Sequence, residues 1–222
     1  MKNYFGIKEY FLFWCICNIS AVKWPRGTYT LVKPKSGCPP GWLDGWRLQD
    51  NEDGSCNKNF VSPGHHFFGY FGKNMKFSYC TKDPNDINDE GFWPPGNYCI
   101  LKHGISCPRG FLRGSIYWDD EDSGNDNSYG GTLPSGSYTR NTRIDYCCRK
   151  DGSFRREIQL PTTKPFYLLR FTSYCQMVKG MYVREEHVRF DDEDANNKNT
   201  VAGNYPYGAA GRNHDLFYCY YF

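Results

Sequence analysis

The chain has 222 residues, with 27 basic and 24 acidic side chains, 39% hydrophobic and 18% aromatic residues, and 11 Cys. Its 23 Gly and 13 Pro are spread along the whole sequence, which excludes a helical bundle or coiled coil, while the aromatic content excludes a disordered chain. No apolar run reaches the roughly 18 residues of a spanning helix, so no stable membrane insertion is expected. The near-balanced charge has no basic tract and leaves no nucleic-acid footprint.

Residues 1–21 read as a secretory signal peptide. Lys2 and Lys8 give a positive start, 10–19 are an apolar stretch, and Ser20-Ala21 offer small residues for cleavage. A buried first strand or a short anchoring segment is the alternative. Cleavage would remove Cys15, Cys17 and the Asn18-Ile-Ser20 sequon, leaving a secreted, extracellular chain of 22–222 without an N-glycan.

From Trp24 onward three units of about 70 residues repeat the same landmarks. They span about 24–81, 93–149 and 160–222. Trp24-Pro-Arg-Gly-Thr-Tyr29 opens the first and Trp93-Pro-Pro-Gly-Asn-Tyr98 the second; the divergent third opens at Leu160-Pro161. Each then passes a Cys (Cys38, Cys107, Cys175), an acidic box (50–53, 119–122, 191–194) and an Asn-x-Asn pair (Asn57/Asn59, Asn125/Asn127, Asn197/Asn199). All three close on Tyr-Cys: Tyr79-Cys80, Tyr146-Cys147 and Tyr218-Cys219. Short segments rich in aromatic and β-branched residues, such as Tyr29-Thr-Leu-Val32, Gly114–Trp118, Thr142–Tyr146 and His187–Phe190, lie between Gly, Pro, Asn and Asp clusters. That is the signature of strands and turns. The expected fold is a single all-β, disulfide-stapled domain, trefoil-like or prism-like, with about four strands per unit; an irregular β-sandwich is the alternative.

The recurrence of a Cys before each box and another at each unit's end pairs Cys38 with Cys80, Cys107 with Cys147 and Cys175 with Cys219. The two extra Cys of the second unit give Cys99–Cys148. Cys56 is left unpaired, as a surface thiol or the seat of an intermolecular disulfide, or as a partner of Cys15 or Cys17 where the amino terminus is retained.

These landmarks resemble the apextrin C-terminal (ApeC) domain family. The resemblance rests on Trp24-Pro-x-Gly-Thr-Tyr29, Ser36-Gly-Cys-Pro39, Gln49-Asp-x-Glu-Asp53, Trp93-Pro-x-Gly-x-Tyr-Cys-Ile100 and Tyr117-Trp-Asp-Asp-Glu-Asp122. It extends through Asp145-Tyr-Cys-Cys-Arg149, Leu160-Pro-Thr162, Lys164-Pro-Phe-Tyr-Leu-Leu169 and Tyr218-Cys-Tyr-Tyr221. It implies a secreted protein of innate immunity or extracellular matrix, with bacterial peptidoglycan or its muramyl dipeptide unit as partner. An adhesion or matrix protein binding host protein or glycan is the rival reading.

Three residue sets carry the candidate chemistry. The boxes (Asp50, Glu52, Asp53; Asp119, Glu121, Asp122; Asp191, Glu193, Asp194) are dense in the oxygens that Ca²⁺ prefers. Alternate carboxylates are expected to project together, or else to pair with Arg47, Arg113, Arg149 or Arg189 in a structural role built on Asx turns. No other cofactor is expected. Trp42, Trp46, Trp118, Tyr129, Tyr205 and Tyr207 lie near turns or boxes and suit the apolar faces of sugars. Loop arginines Arg113, Arg140, Arg143 and Arg212 suit carboxylates. Three related units would present three related sites and gain avidity on a polymer. The histidines show no zinc spacing, and carboxylates contiguous in a box place an acid and a base poorly about a glycosidic bond. The reading is therefore a non-enzymatic recognition domain, with a cell-wall hydrolase a weaker alternative.

Overall fold

The computed structural model describes residues 22–51, 57–86, 89–192 and 196–222. The signal segment, Cys15, Cys17, Cys56, Glu52, Asp53, Glu193 and Asp194 lie outside the described residues. The first unit holds β1 (Tyr29–Val32), β2 (Leu43–Gln49), β3 (Phe60–Val61), β4 (Gly69–Phe71) and β5 (Met75–Thr81). The second holds β6 (Asn97–Lys102), β7 (Leu112–Trp118), β8 (Ser128–Gly131), β9 (Gly136–Tyr138) and β10 (Thr142–Lys150). The third holds β11 (Phe166–Arg170), β12 (Val183–Phe190), β13 (Thr200–Gly203) and β14 (His214–Tyr221). These 14 strands form one hydrogen-bonded network in which every strand pair is antiparallel. The chain is an all-β protein.

Each unit contributes a long antiparallel pair, β2–β5, β7–β10 and β12–β14, and the registers superpose: Trp46 faces Ser78, Ser115 faces Asp145 and His187 faces Phe217. The strand on the far side of each pair's first arm comes from another unit. β8 of the second unit pairs with β2, β13 of the third pairs with β7, and β3 of the first pairs with β12. The exchange closes into a ring. Where the chain leaves β13 it crosses close over Gly114, and a Cβ there would sit 1.9 Å from the Asn204 carbonyl oxygen. That contact requires glycine.

Apolar alternation builds two cores. Phe77, Ile144 and Leu216, with Trp118, Phe190 and the tyrosines Tyr79, Tyr146 and Tyr218, fill the first. Tyr29, Trp42, Trp93, Tyr98 and Phe166 fill the second, beside Cys80, Cys147 and Cys219. The Trp-Pro-x-Gly-x-Tyr motif belongs to the second core. Tyr29 Oη donates to the Pro25 carbonyl (2.9 Å) and Tyr98 Oη to the Pro94 carbonyl (2.5 Å), so each buried phenol finds its acceptor one short turn upstream. Four disulfides join Cys38–Cys80, Cys107–Cys147, Cys175–Cys219 and Cys99–Cys148. These are the pairs that the recurrence in the sequence selects. The last staples directly opposed residues of β6 and β10.

The acidic boxes follow β2, β7 and β12 and lock the exchange. The backbone N–H groups of Asp50, Asp119 and Asp191 donate to Asn127, Asn199 and Asn59 Oδ1 at 2.6, 2.7 and 2.7 Å. In return Asp50, Asp119 and Asp191 Oδ2 accept from the backbone of Asp126, Lys198 and Lys58 at 2.8, 2.8 and 2.5 Å. Asn57, Asn125 and Asn197 each accept from the backbone N–H two residues on, forming the Asx turns that aim the second Asn of each pair. Each box therefore grips the Asn pair of a different unit.

In the second box, where all four residues are described, alternate projection of the carboxylates does not occur. Asp119, Asp120 and Glu121 are all buried, as are Asp50 with Asn51 and Asp191 with Asp192. The strand ends before the box, so a period of two no longer governs which way side chains point. Of the four arginines expected to face the boxes, Arg47 alone is buried near Asp120. Arg113, Arg149 and Arg189 pair instead with Asp145, Asp151 and Asp215.

Candidate functional site

The superposed registers give three outer sheet faces that can be compared position by position. On the first, Trp46 is half-buried with Lys76 Nζ 4.0 Å from its ring centroid. Its indole lies close over Gly130. Tyr129 is exposed beside Tyr138, ring centroids 5.7 Å apart. On the second face Ser115, Arg143 and Asp145 occupy the positions of Trp46, Lys76 and Ser78. On the third these positions hold His187, Asp215 and Phe217. The three faces are not three copies of one site, contrary to the expectation of related sites.

The third face forms an open groove of about 710 Å³. Arg189 and Phe217 line it with His187, Asp215, Tyr205 and Tyr207. Alternation along β12 and β14 puts His187 and Arg189 on the outer side together with Asp215 and Phe217, while Val188, Phe190 and Leu216 face the core. Asp215 accepts a two-pronged contact from Arg189, Nε at 3.0 Å and Nη2 at 3.1 Å, and its Oδ1 lies 2.6 Å from His187 Nε2. The Asp215 hydrogen bonds raise the Arg189 pKa further. Beside this polar trio the His187 ring stacks on Phe217 at 4.5 Å, and Tyr207 lies 5.6 Å from the same ring. The Arg170 guanidinium sits 4.7 Å from Tyr207 and 4.6 Å from Phe217. An aromatic wall next to fixed donors and acceptors is what a sugar ring with polar substituents needs.

Tyr205 and Tyr207 thus reach the groove, Tyr205 half-buried and Tyr207 40% exposed. Trp118 offers no platform. Trp118 is fully buried against Phe190, with Arg47 over its ring, and Trp42 packs between Trp24 and Tyr29. Trp24 and Trp42 also line a second groove of about 540 Å³ rimmed by Asp83, Asp86 and Lys164. Arg113 and Arg143 lie on strands β7 and β10 rather than in loops, and Arg140 is paired with Asp122 at 2.7 Å. Arg212 is exposed, and its carbonyl accepts from Asn197 and Asn199. His187, Arg189, Asp215 and Phe217 were not singled out from the sequence as groove residues. Outward alternation on the last long strand pair was the available signal.

Among the described residues one group of His, Cys, Asp and Glu lies within metal-ligating reach, Cys38, Asp44 and Cys80. Both its sulfurs are consumed by a disulfide. The described box aspartates accept hydrogen bonds from backbone and Asn amides, Asp119 Oδ1 from Asn141 (2.9 Å) and Asp191 Oδ1 from Asn213 (2.7 Å).

The family described as the C-terminal domain of apextrin, ApeC, matches residues 24–221. The chain belongs to the ApeC family. No curated protein and no solved structure matches it. ApeC is not a known enzyme family. Four disulfides are bonds of an oxidising compartment, and no helix among the described residues is long and apolar enough to cross a membrane. The disulfides agree with an extracellular, apextrin-like ApeC domain.

Proposed function

We propose that this ApeC domain is a secreted, non-catalytic recognition module of innate immunity that binds bacterial peptidoglycan or muramyl dipeptide in the groove of the third face. The observation that carries this reading is the meeting of Tyr207 and Phe217 with the Arg189–Asp215–His187 trio in one open groove. The aromatic side suits the apolar face of an N-acetylated sugar; the trio suits its hydroxyl, amide and carboxylate groups. A non-catalytic role is supported by the lining, in which Asp215 is the one carboxylate among the described residues and is already bound to Arg189; glycoside hydrolysis ordinarily uses two.

The test is sedimentation with insoluble peptidoglycan. Wild-type protein should pellet and be released by soluble muramyl dipeptide, and Tyr207→Ala should weaken binding about tenfold, as expected for losing one aromatic contact of about 1.4 kcal/mol. Protein that stays in the supernatant, or a Tyr207→Ala variant that pellets like wild type, refutes the assignment. A second reading, adhesion to a host protein, draws on one apolar surface. Tyr182 is 79% exposed beside Phe222, and with Val183 and Met177 it lines a shallow cavity of about 300 Å³.

A further inference from the structure

The second face holds a charge arrangement that neither neighbouring face has. Asp145 is buried, its side chain 4% exposed, and three cations converge on it. Arg113 Nη2 lies 2.7 Å from Oδ2, Arg143 Nη2 2.6 Å from Oδ1 and Lys102 Nζ 3.9 Å from Oδ2. Among the described residues none of the three forms an ion pair with another carboxylate. The cluster therefore carries two positive charges more than it neutralises. Burial, followed by the repulsion of Arg113 and Arg143 against the attraction of Asp145, lowers the Lys102 pKa.

The fold does not require this arrangement. At the Asp145 position the other two strand pairs place Ser78 and Phe217, and at the Arg143 position Lys76 and Asp215. At the Arg113 position stand Asp44 and Glu185. Burying Lys102 and Asp145 costs desolvation that a serine or phenylalanine at the same register avoids. Two guanidiniums of the three cations remain open to solvent, with side chains 57% exposed for Arg113 and 38% for Arg143. Each is held at one end by the same carboxylate, Asp145, and a planar fork presented in this way can bind an oxyanion through charge-assisted pairs. Lys102 Nζ also donates to the Gly104 carbonyl, so it is held as a fixed charge beneath them. The Arg113 carbonyl accepts from the backbone N–H of Asn204 at 3.0 Å, and Asn204 is a residue of the groove wall, which puts the cluster one strand from that groove.

We propose that Arg113 and Arg143, set by Asp145 and backed by Lys102, form an oxyanion-binding site for a ligand bearing carboxylate or phosphate groups. The site is separate from the groove and does not depend on its being a sugar site. Isothermal titration of the intact, oxidised protein with pyrophosphate and with citrate tests it, since neither probe carries a sugar ring. Wild type should give saturable binding that weakens with added salt. Arg113→Gln and Arg143→Gln should each lower affinity about tenfold, the loss of one charge-assisted contact. The charge-matched control Lys179→Gln, exposed on the third unit, should match wild type. Stronger binding of pyrophosphate would assign a phosphate-bearing ligand, and stronger binding of citrate a carboxylate-bearing one. Absence of saturable binding by both probes, or full retention of affinity in the Arg113→Gln/Arg143→Gln double variant, overturns the proposal.

Discussion

Asp120 and Asp192, the second residues of their boxes, are fully buried, while the first unit places Asn51 at the same point. Asn51 Nδ2 donates to Asp192 Oδ1 at 3.3 Å and Gln49 Nε2 to Asp120 Oδ1 at 2.7 Å. Burial raises the Asp120 carboxyl from 3.8 to about 6, against hydrogen bonds from Thr142, Asn127 and Gln49. Burial, then the charge of Asp120, raises Asp192 well above the ordinary carboxylate range. A carboxyl with a raised folded pKa holds its proton more tightly in the folded chain than in the unfolded one. Its contribution to stability is therefore present at acid pH and is lost as pH rises between the two values. Wild type should lose stability relative to Asp120→Asn from about pH 4 to about pH 6, by roughly 3 kcal/mol in all. Denaturant midpoints measured across that range check it. The variant's lost acceptor for Asn127 and Thr142 is a constant offset and drops out of the slope. A difference that stays flat, or rises with pH, contradicts the assignment. Within the sequence the box is four consecutive polar residues, and nothing in it distinguishes a buried second aspartate from an exposed fourth. Asp122 keeps 54% of its side chain exposed, whereas Asp120 is enclosed by Gln49 of the first unit and by Asn127 and Thr142 from farther along its own.

At the level of elements, the three Asn-x-Asn turns are the joints of the strand exchange. Asn199 accepts from Asp119 N at 2.7 Å and donates to Asp192 Oδ2 and to the Arg212 carbonyl, each at 2.7 Å. Asn127 makes the corresponding contacts to Asp50 N and Asp120 Oδ2. Asn199→Ala takes the acceptor from the Asp119 N–H and one donor each from Asp192 Oδ2, which keeps the His214 N–H, and from the Arg212 carbonyl, which keeps Asn197, at a cost of about 1–3 kcal/mol. The unfolding free energy from urea titration should fall by that amount, the midpoint dropping while the slope stays unchanged, and a variant as stable as wild type would mean that the seam contributes little. The strands and the Cys pairs were legible because alternation, turn residues and recurring landmarks are local signals. The exchange was not, since β3, β8 and β13 are short and each pairs with a strand of a different unit, far away along the chain. Trp118 was misread for a related reason. Proximity to an acidic box suggests exposure, yet Trp118 is the last inward residue of β7 and packs against Phe190 and His214 in the core.

For the molecule as a whole, the exchange makes a closed cycle: unit two completes the sheet of unit one, unit three that of unit two, and unit one that of unit three. The first arm of every long strand pair depends on another unit for its outer partner, and the two cores draw residues from all three. Among the described residues, the first aspartate of each box is committed to these joints, Asp50, Asp119 and Asp191 each holding a backbone N–H across a unit boundary. A bound cation would have to compete with those donors for the same oxygens, and releasing them would open the ring. Two consequences belong together. Unfolding should be a single cooperative transition, with tryptophan fluorescence and far-ultraviolet circular dichroism coinciding, and a calcium chelator should leave the melting temperature unchanged. Separate transitions would show that the units are independent despite the exchanged strands. A chelator-dependent fall in melting temperature, abolished by Asp119→Ala, would instead make the boxes cation sites and the hydrogen-bonded ring a consequence of the ion.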